Sequence, residues 1–270
     1  MKVDSSQKLR EQAFHDEWAA QTPLDDIKVL EAFENITAQE NRFILGLMGN
    51  LKGVSLLDIG AGLGESSVYF ALQGAEVTAN DISRGMLERC LALGERHGVR
   101  INTLLSSSSA EFDFGELKFD IVYGANVLHH IGVLPPFLAA VQRALRPAGR
   151  FFFFDPLTYN PAIKVYRRLA TAVRTEDERP LKFSDLSYFR QAFSEVHHRE
   201  FWLSTLLIFM KYFLIDRVDP NADRYWKRIL REDPRLIRWW FEPLLRLDDM
   251  LLRLPLCQFL AWNIVIWGRK

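Results

Sequence analysis

Three acidic residues and one run of glycines carry the first chemical signal. Asp58 closes the apolar part of LLDIGAGLGESS (residues 56–67), and Gly60, Ala61, Gly62, Leu63 and Gly64 follow before a helical pattern begins. Glycines there let the backbone turn freely and let a ligand approach where a Cβ would clash. The helix behind the loop aims its N-terminus at the same spot. A dinucleotide, a phosphate and an adenosyl group are all candidates. The Gly-Ala-Gly-Leu-Gly spacing departs from the G-x-G-x-x-G of nicotinamide cofactors, and no GK[ST] ends the loop as a P-loop requires. Asp81 ends the next strand pattern, AEVTAND. An acid about twenty residues past a glycine loop can accept hydrogen bonds from both ribose hydroxyls. In SSAEFDF, after the third strand pattern, Ala110 and Glu111 are placed to frame an adenine ring and bond its amino group.

Groups able to move a proton come next. His129 and His130 directly follow the fourth strand pattern, and His15 lies in FHDEWA. Imidazole titrates near neutral pH, so all three are candidate general bases. Phe14 and Trp18 are one helical turn apart, so their helix either packs on the core or forms a lid over a ligand.

These groups work together only if strand tips converge. VSLLDIG, AEVTAND, VRINTLL, FDIVYGANVLHH and RFFFFDP read as strands. Between them, SSVYFALQG, SRGMLERCLALGERHG and PPFLAAVQRALRPAG read as helices, with Ser83 as an N-cap and Gly98 past a C-terminus. Such alternation predicts βαβ units and a parallel sheet. Before it, Phe14, Trp18, Leu24, Ile27, Leu30 and Phe33 recur at roughly helical spacing. After Asp155 the pattern changes to helices, a strand start at SEVHHREF, helical stretches broken at Pro220, Pro234, Pro243 and Pro255, and a last strand in CQFLAWNIVIWGRK.

With 49% hydrophobic residues, the 270-residue chain can bury a full core. Lys+Arg and Asp+Glu are both 34, which argues against nucleic-acid binding through overall charge. Two cysteines, with no Cys/His cluster, argue against a disulfide framework or a structural zinc site, and no metal constellation is visible. The charged N-terminus, MKVDSSQKLREQAFHDEWAA, does not read as a signal peptide. A cytoplasmic location is expected.

Taken in order, LLDIGAGLGESS, AEVTANDIS, SSAEFDF, FDIVYGANVLHHI and RALRPAGRFFFFDP resemble the class I S-adenosylmethionine-dependent methyltransferases, over roughly residues 50–160. The resemblance implies an α/β, doubly wound, mostly parallel seven-stranded sheet whose last strand, near residues 259–267, is antiparallel. It divides the chain into an N-terminal helical cap (1–48), a Rossmann-like core (49–160), substrate-side helices and an insertion (161–258), and a final core strand (259–270). It also implies S-adenosyl-L-methionine as cofactor. Asp58, Gly60, Ala61, Gly62 and Gly64 would surround its methionine moiety, Asp81 and Ile82 would take the ribose with Met86 nearby, Ala110 and Glu111 would meet adenine, and Asn126 and Val127 would line it from below.

A sulfonium already activates its methyl group, so the protein must mainly hold a nucleophile in line within a dry pocket. No metal is then obligatory, and His130, His129 or His15 would serve where the acceptor must lose a proton. The acceptor side should lie in the cap and in the segment after the fifth strand. Trp18, Tyr159, Arg167, Arg168 and Arg174 are its expected residues; Lys164, Arg167 and Arg168 share one helix face. Arg224, Lys227, Arg228 and Arg231 form a second basic stripe, and FWLSTLLIFMKYFLI and RWWFEPLLRLDDMLLRLPL mix aromatics, leucines and cations. Such segments either pack on the core behind solvated arginines or lie in a headgroup layer. The expected acceptor is small and apolar or amphiphilic, with an anionic group as an option and peripheral membrane contact as the second reading. The fourth strand ends in GANVLHH rather than an Asn/Asp-Pro-Pro-Tyr/Phe signature, which argues against a nucleobase. O-, N- and C-methylation stay open, as do a non-methylating cyclisation or elimination, a non-catalytic cofactor-binding module, and the oligomeric state.

Overall fold

The four phenylalanines of residues 151–154 explain the two-sided core. Side chains alternate along a strand, so Phe152 and Phe154 join one apolar cluster and Phe151 and Phe153 the other. A central strand covered on both faces needs such a continuous apolar run. These positions come from a computed structural model, which describes residues 5–106, 114, 116–170 and 178–270, with side chains from Arg10 onward.

Helices α1 (Ser5–Gln21), α2 (Glu31–Glu34) and α3 (Gln39–Met48) come first. Then follow β1 (Ser55–Ile59), α4 (Glu65–Leu72), β2 (Glu76–Asp81), α5 (Arg84–Arg96), β3 (Asn102–Leu105), β4 (Phe119–Ala125), α6 (Leu134–Ala144) and β5 (Leu145–Pro156). The rest comprises α7 (Pro161–Leu169), α8 (Leu186–Ala192), β6 (Glu195–Phe201), α9 (Leu207–Met210), α10 (Tyr225–Arg228), α11 (Pro234–Leu251), α12 (Pro255–Gln258) and β7 (Asn263–Arg269).

The seven strands form one sheet in the order β3-β2-β1-β4-β5-β7-β6. Pairings from β3 to β5 are parallel, while β7 runs antiparallel to β5 and to β6. This is the expected α/β sheet with an antiparallel last strand. Chain order reverses at β1 and β4, whose carboxyl ends open the crevice where ligands of such sheets bind.

Three local expectations change. The last strand starts at Asn263 rather than 259, because α12 occupies Pro255–Gln258 and its carbonyls take the amides of Leu260 and Ala261. The Pro-Ala-Gly expected to close a helix lies inside β5, where Ala148 takes φ 60 and the β4 register shifts between Phe119 and Ile121. Pro243 does not break its helix: α11 runs through it. Pro243 and Trp239, whose carbonyl loses its donor, are both exposed, so water can replace the bond.

Candidate functional site

The glycine loop is built around Asp58 and Asp81. Asp58 Oδ2 accepts 2.6 Å bonds from Ser66 Oγ and Ser67 Oγ, which fixes the first turn of α4 over the strand end. Its Oδ1 is buried with no partner, and burial, only partly offset by the serines, pushes its pKa to about 7. Asp81 Oδ2 accepts from Gly62 N at 2.9 Å and Oδ1 from Ser83 N at 2.9 Å. Burial raises its pKa against those hydrogen bonds. Gly62 has φ +54, and a Cβ there would enter open space. The Gly64 position differs: a Cβ would meet Cys90 Cα at 2.7 Å, so this glycine seats α4 against α5. Gly60 similarly backs onto Val127 Cγ2, 2.9 Å from an added Cβ.

The tip of β4 leaves the strand earlier than its sequence suggests. Asn126 takes φ 53 while its amide donates to Phe154 O at 2.8 Å, and residues 128–130 wind into a 3-10 turn. Asp155, fully buried at the tip of β5, organises that turn. Its Oδ2 accepts from Leu128 N at 3.1 Å, and its Oδ1 accepts from His129 N at 3.1 Å and faces His129 Nδ1 at 2.6 Å. His130 Nδ1 faces Glu11 Oε1 of α1 at 3.0 Å. Burial pulls the His130 pKa down, but the hydrogen bond and charge of Glu11, with Glu178 and Asp155, carry it above the ordinary value. Burial, then His130, lowers His129. Burial, then His130, takes His15 to about 4, so its ring is neutral at pH 7.

These groups share one cavity of about 340 Å³. Of the expected cofactor residues, Gly60, Ala61, Gly62, Asp81, Ile82, Asn126 and Val127 line it; Asp58, Gly64 and the fully buried Met86 stand behind it. Ala110 and Glu111 lie outside the described residues. His15, His129, His130, Trp18 and Arg167 also face it. Arg168 is exposed on the other side of α7, and Tyr159 packs elsewhere, stacked on Phe183 with centroids 5.6 Å apart. Arg174 lies outside the described residues.

The sequence reading missed several partners. Glu11, Phe14, His15 and Trp18 occupy i, i+3, i+4 and i+7 of α1 and all face the cavity, a spacing that could have exposed Glu11. Asp155 ends a strand like Asp58 and Asp81, which was a second usable signal. Glu178 pairs with Arg167 at 3.1 Å and has no comparable signature. The basic stripe is mostly paired: Lys227 pairs with Glu65, Arg228 and the exposed Arg231 pair with Asp223, and Arg224 faces the cavity. His129, His130 and Glu178 bring ligand atoms within 4.8 Å of one another. Each already holds a protein partner, so a metal would have to displace Arg167 from Glu178.

The adenosyl cofactor fits this cradle chemically. Asp81 lines the cavity with a carboxylate of the kind that accepts hydrogen bonds from a diol, Gly62 borders open space, and Ile82 and Val127 add apolar surface. Residues 57–153 match the family described as a methyltransferase domain. The chain is 29% identical over 126 residues to a ubiquinone biosynthesis O-methyltransferase of Rickettsia akari (strain Hartford), covering 47% of each chain. It is 28% identical over 127 residues to a sterol 24-C-methyltransferase of Yarrowia lipolytica (strain CLIB 122 / E 150), covering 46% of this chain and 33% of that one. It thus spans about half or less of the length of these curated relatives. In shape it resembles an S-adenosylmethionine-dependent methyltransferase from Mesorhizobium loti, with a TM-score of 0.54 and 17% identity over 88% of this chain and 100% of that one. The chain therefore has the class I S-adenosylmethionine-dependent methyltransferase fold, and its residues 57–153 are similar to the methyltransferase-domain family.

Proposed function

We propose that this protein transfers the methyl group of S-adenosylmethionine to a small apolar or amphiphilic acceptor. The observation that carries the reading is that the Gly62–Asp81 cradle, the His129–His130 pair and an aromatic wall open into one cavity. When bound, the cofactor supplies a methyl group already activated by its sulfonium. The chain's own work is positional. Asp81 holds the ribose, while Ile82 and Val127 bound the cofactor laterally. Phe14, Trp18, Tyr166, Trp202, Trp226 and Trp262 give the acceptor an apolar wall that excludes water. His130, steadied at Nδ1 by Glu11, takes the acceptor's proton at Nε2 when the acceptor is a hydroxyl or an acidic carbon. That two relatives are named as a ubiquinone biosynthesis O-methyltransferase and a sterol 24-C-methyltransferase is consistent with an apolar acceptor.

Calorimetric titration with S-adenosylmethionine and S-adenosylhomocysteine tests the reading. Asp81→Ala removes a charged acceptor of two hydrogen bonds, each about 1.5–3 kcal/mol, so affinity should fall by about 100-fold or more. Failure of the folded wild type to bind either ligand would remove the proposal. Methyl transfer also releases S-adenosylhomocysteine in proportion to product, whereas a cyclisation would leave the cofactor unconsumed.

A further inference from the structure

Three described cations line the cavity: Arg167, Arg224 and Lys227. Arg167 pairs with Glu178 and Lys227 with Glu65. Arg224 differs from both. Its guanidinium carbon lies 3.9 Å from the Trp18 ring centre, 5.7 Å from Phe14 and 6.0 Å from Trp226. Among the described residues, none accepts a hydrogen bond from its guanidinium and no carboxylate forms an ion pair with it. Aromatic rings cover a guanidinium face but offer no acceptor to the five N–H donors at its edge. A desolvated fork with open donors is the usual receptor for a planar oxyanion, which it holds bidentately.

Position gives the direction of the ligand. Arg224 acts through charge on His15, Tyr166 and Glu178, all on the cavity wall. His15 is in edge contact with His130, with ring centres 6.0 Å apart. Asp81, Gly62 and Ser83 form a hydrogen-bonded group at the strand tips that reaches α1 through Ser83 Oγ and Asp16 and does not include Arg224. The fork therefore stands with the proposed base, on the acceptor side.

Resting on the methyltransferase reading above, we propose that Arg224 is the oxyanion receptor of the acceptor pocket, and that the acceptor is an apolar molecule bearing a carboxylate or phosphate group. The tryptophans flanking Arg224 supply the readout. Wild-type protein is titrated by tryptophan fluorescence with 4-hydroxybenzoate, its neutral methyl ester and phenyl phosphate, with and without S-adenosylhomocysteine. The acid of the right class should bind at least tenfold tighter than the ester, and the carboxylate and phosphate arms identify the source. Arg224→Gln should abolish that preference while S-adenosylhomocysteine affinity stays within twofold; Arg224→Lys should keep part of it. If Arg224→Gln disturbs folding, Arg224→Lys carries the comparison, because lysine retains the charge and loses the fork. Equal binding of acid and ester, or an unchanged acid affinity in both variants, would overturn the assignment. So would a tenfold loss of S-adenosylmethionine affinity in Arg224→Gln that decarboxylated S-adenosylmethionine does not share, since the fork would then serve the cofactor's own carboxylate. Wild type that fails to bind S-adenosylhomocysteine refutes the methyltransferase reading, whereas the acid-versus-ester comparison without cofactor still reports on Arg224.

Discussion

His130 shows how one side chain's surroundings set its chemistry. Glu11, Glu178 and Asp155 face it with negative charge, and His129 and His15 face it as imidazoles. The carboxylates raise its pKa above the ordinary His value of about 6.5. A base must be neutral, so kcat/KM should rise with pH through an inflection above about 6.5. His130→Gln should lower kcat/KM by about 10²–10⁴-fold and flatten the profile. Glu11→Gln removes the largest raising influence, so the inflection should move to lower pH. A profile that stays in place in Glu11→Gln would assign the titration to another group. The same pair has a sign in stability. With a raised folded-state pKa, its contribution is full below about pH 6.5 and is lost as pH rises through the raised value.

Glu11 belongs to α1, and at the scale of elements that helix forms one wall of the site. It rests on α5 through Asp16, whose Oδ1 accepts from Ser83 Oγ and from Gly85 N at 3.1 Å. Arg89 adds a 2.8 Å bond from Nε to Ala19 O. Gly85 allows the approach, since a Cβ there would lie 3.1 Å from Asp16 Oδ1. Among the described residues, the hydrogen bonds of Asp16, Ala19 and Glu11 go to α5, its N-cap and His130 rather than to the strands of the sheet. Asp16→Ala removes a charged acceptor of two hydrogen bonds and should cost about 3 kcal/mol, while also weakening S-adenosylhomocysteine binding several-fold and hastening proteolysis within α1. A large fall in Tm with unchanged ligand affinity would make α1 part of the core rather than a cover. Ser83 as the cap of α5 was legible in the sequence, because capping is local: its Oγ accepts from Met86 N at 3.0 Å. The strand tips at Asp58 and Asp81 were legible for the same reason, each closing an apolar run. The pairing of His130 with Glu11 spans 119 residues, and Arg224 meets α1 from the far insertion. No local period encodes such contacts. The glycine loop was half legible: its φ demands follow from residue type, but Gly64 serves packing against Cys90, which only the fold reveals.

The whole molecule pairs its cavity with an unusual surface. Leu214 and Ile215 are 61% and 75% exposed, Trp239 is 79% exposed and Leu256 84%. No described helix is long and apolar enough to cross a membrane. Arg217 is exposed beside Ile215, and Arg235 and Arg238 beside Trp239 are 91% and 63% exposed. Cations next to exposed aliphatic and indole groups suit an anionic headgroup layer, where each basic residue contributes about 1 kcal/mol. An apolar acceptor would also be found in that layer. Vesicles containing an anionic phospholipid should therefore float the protein at low salt, and neutral vesicles should do so poorly. Raising the salt should release it, because the Debye length falls from about 30 Å at 0.01 M to about 10 Å at 0.1 M. Ile215→Glu and Trp239→Glu should each reduce flotation while leaving S-adenosylhomocysteine affinity unchanged, and the stronger loss marks the segment that inserts. Absence of flotation on anionic vesicles at low salt would leave the exposed apolar residues to a protein partner, and self-association measured by sedimentation would then be the competing outcome.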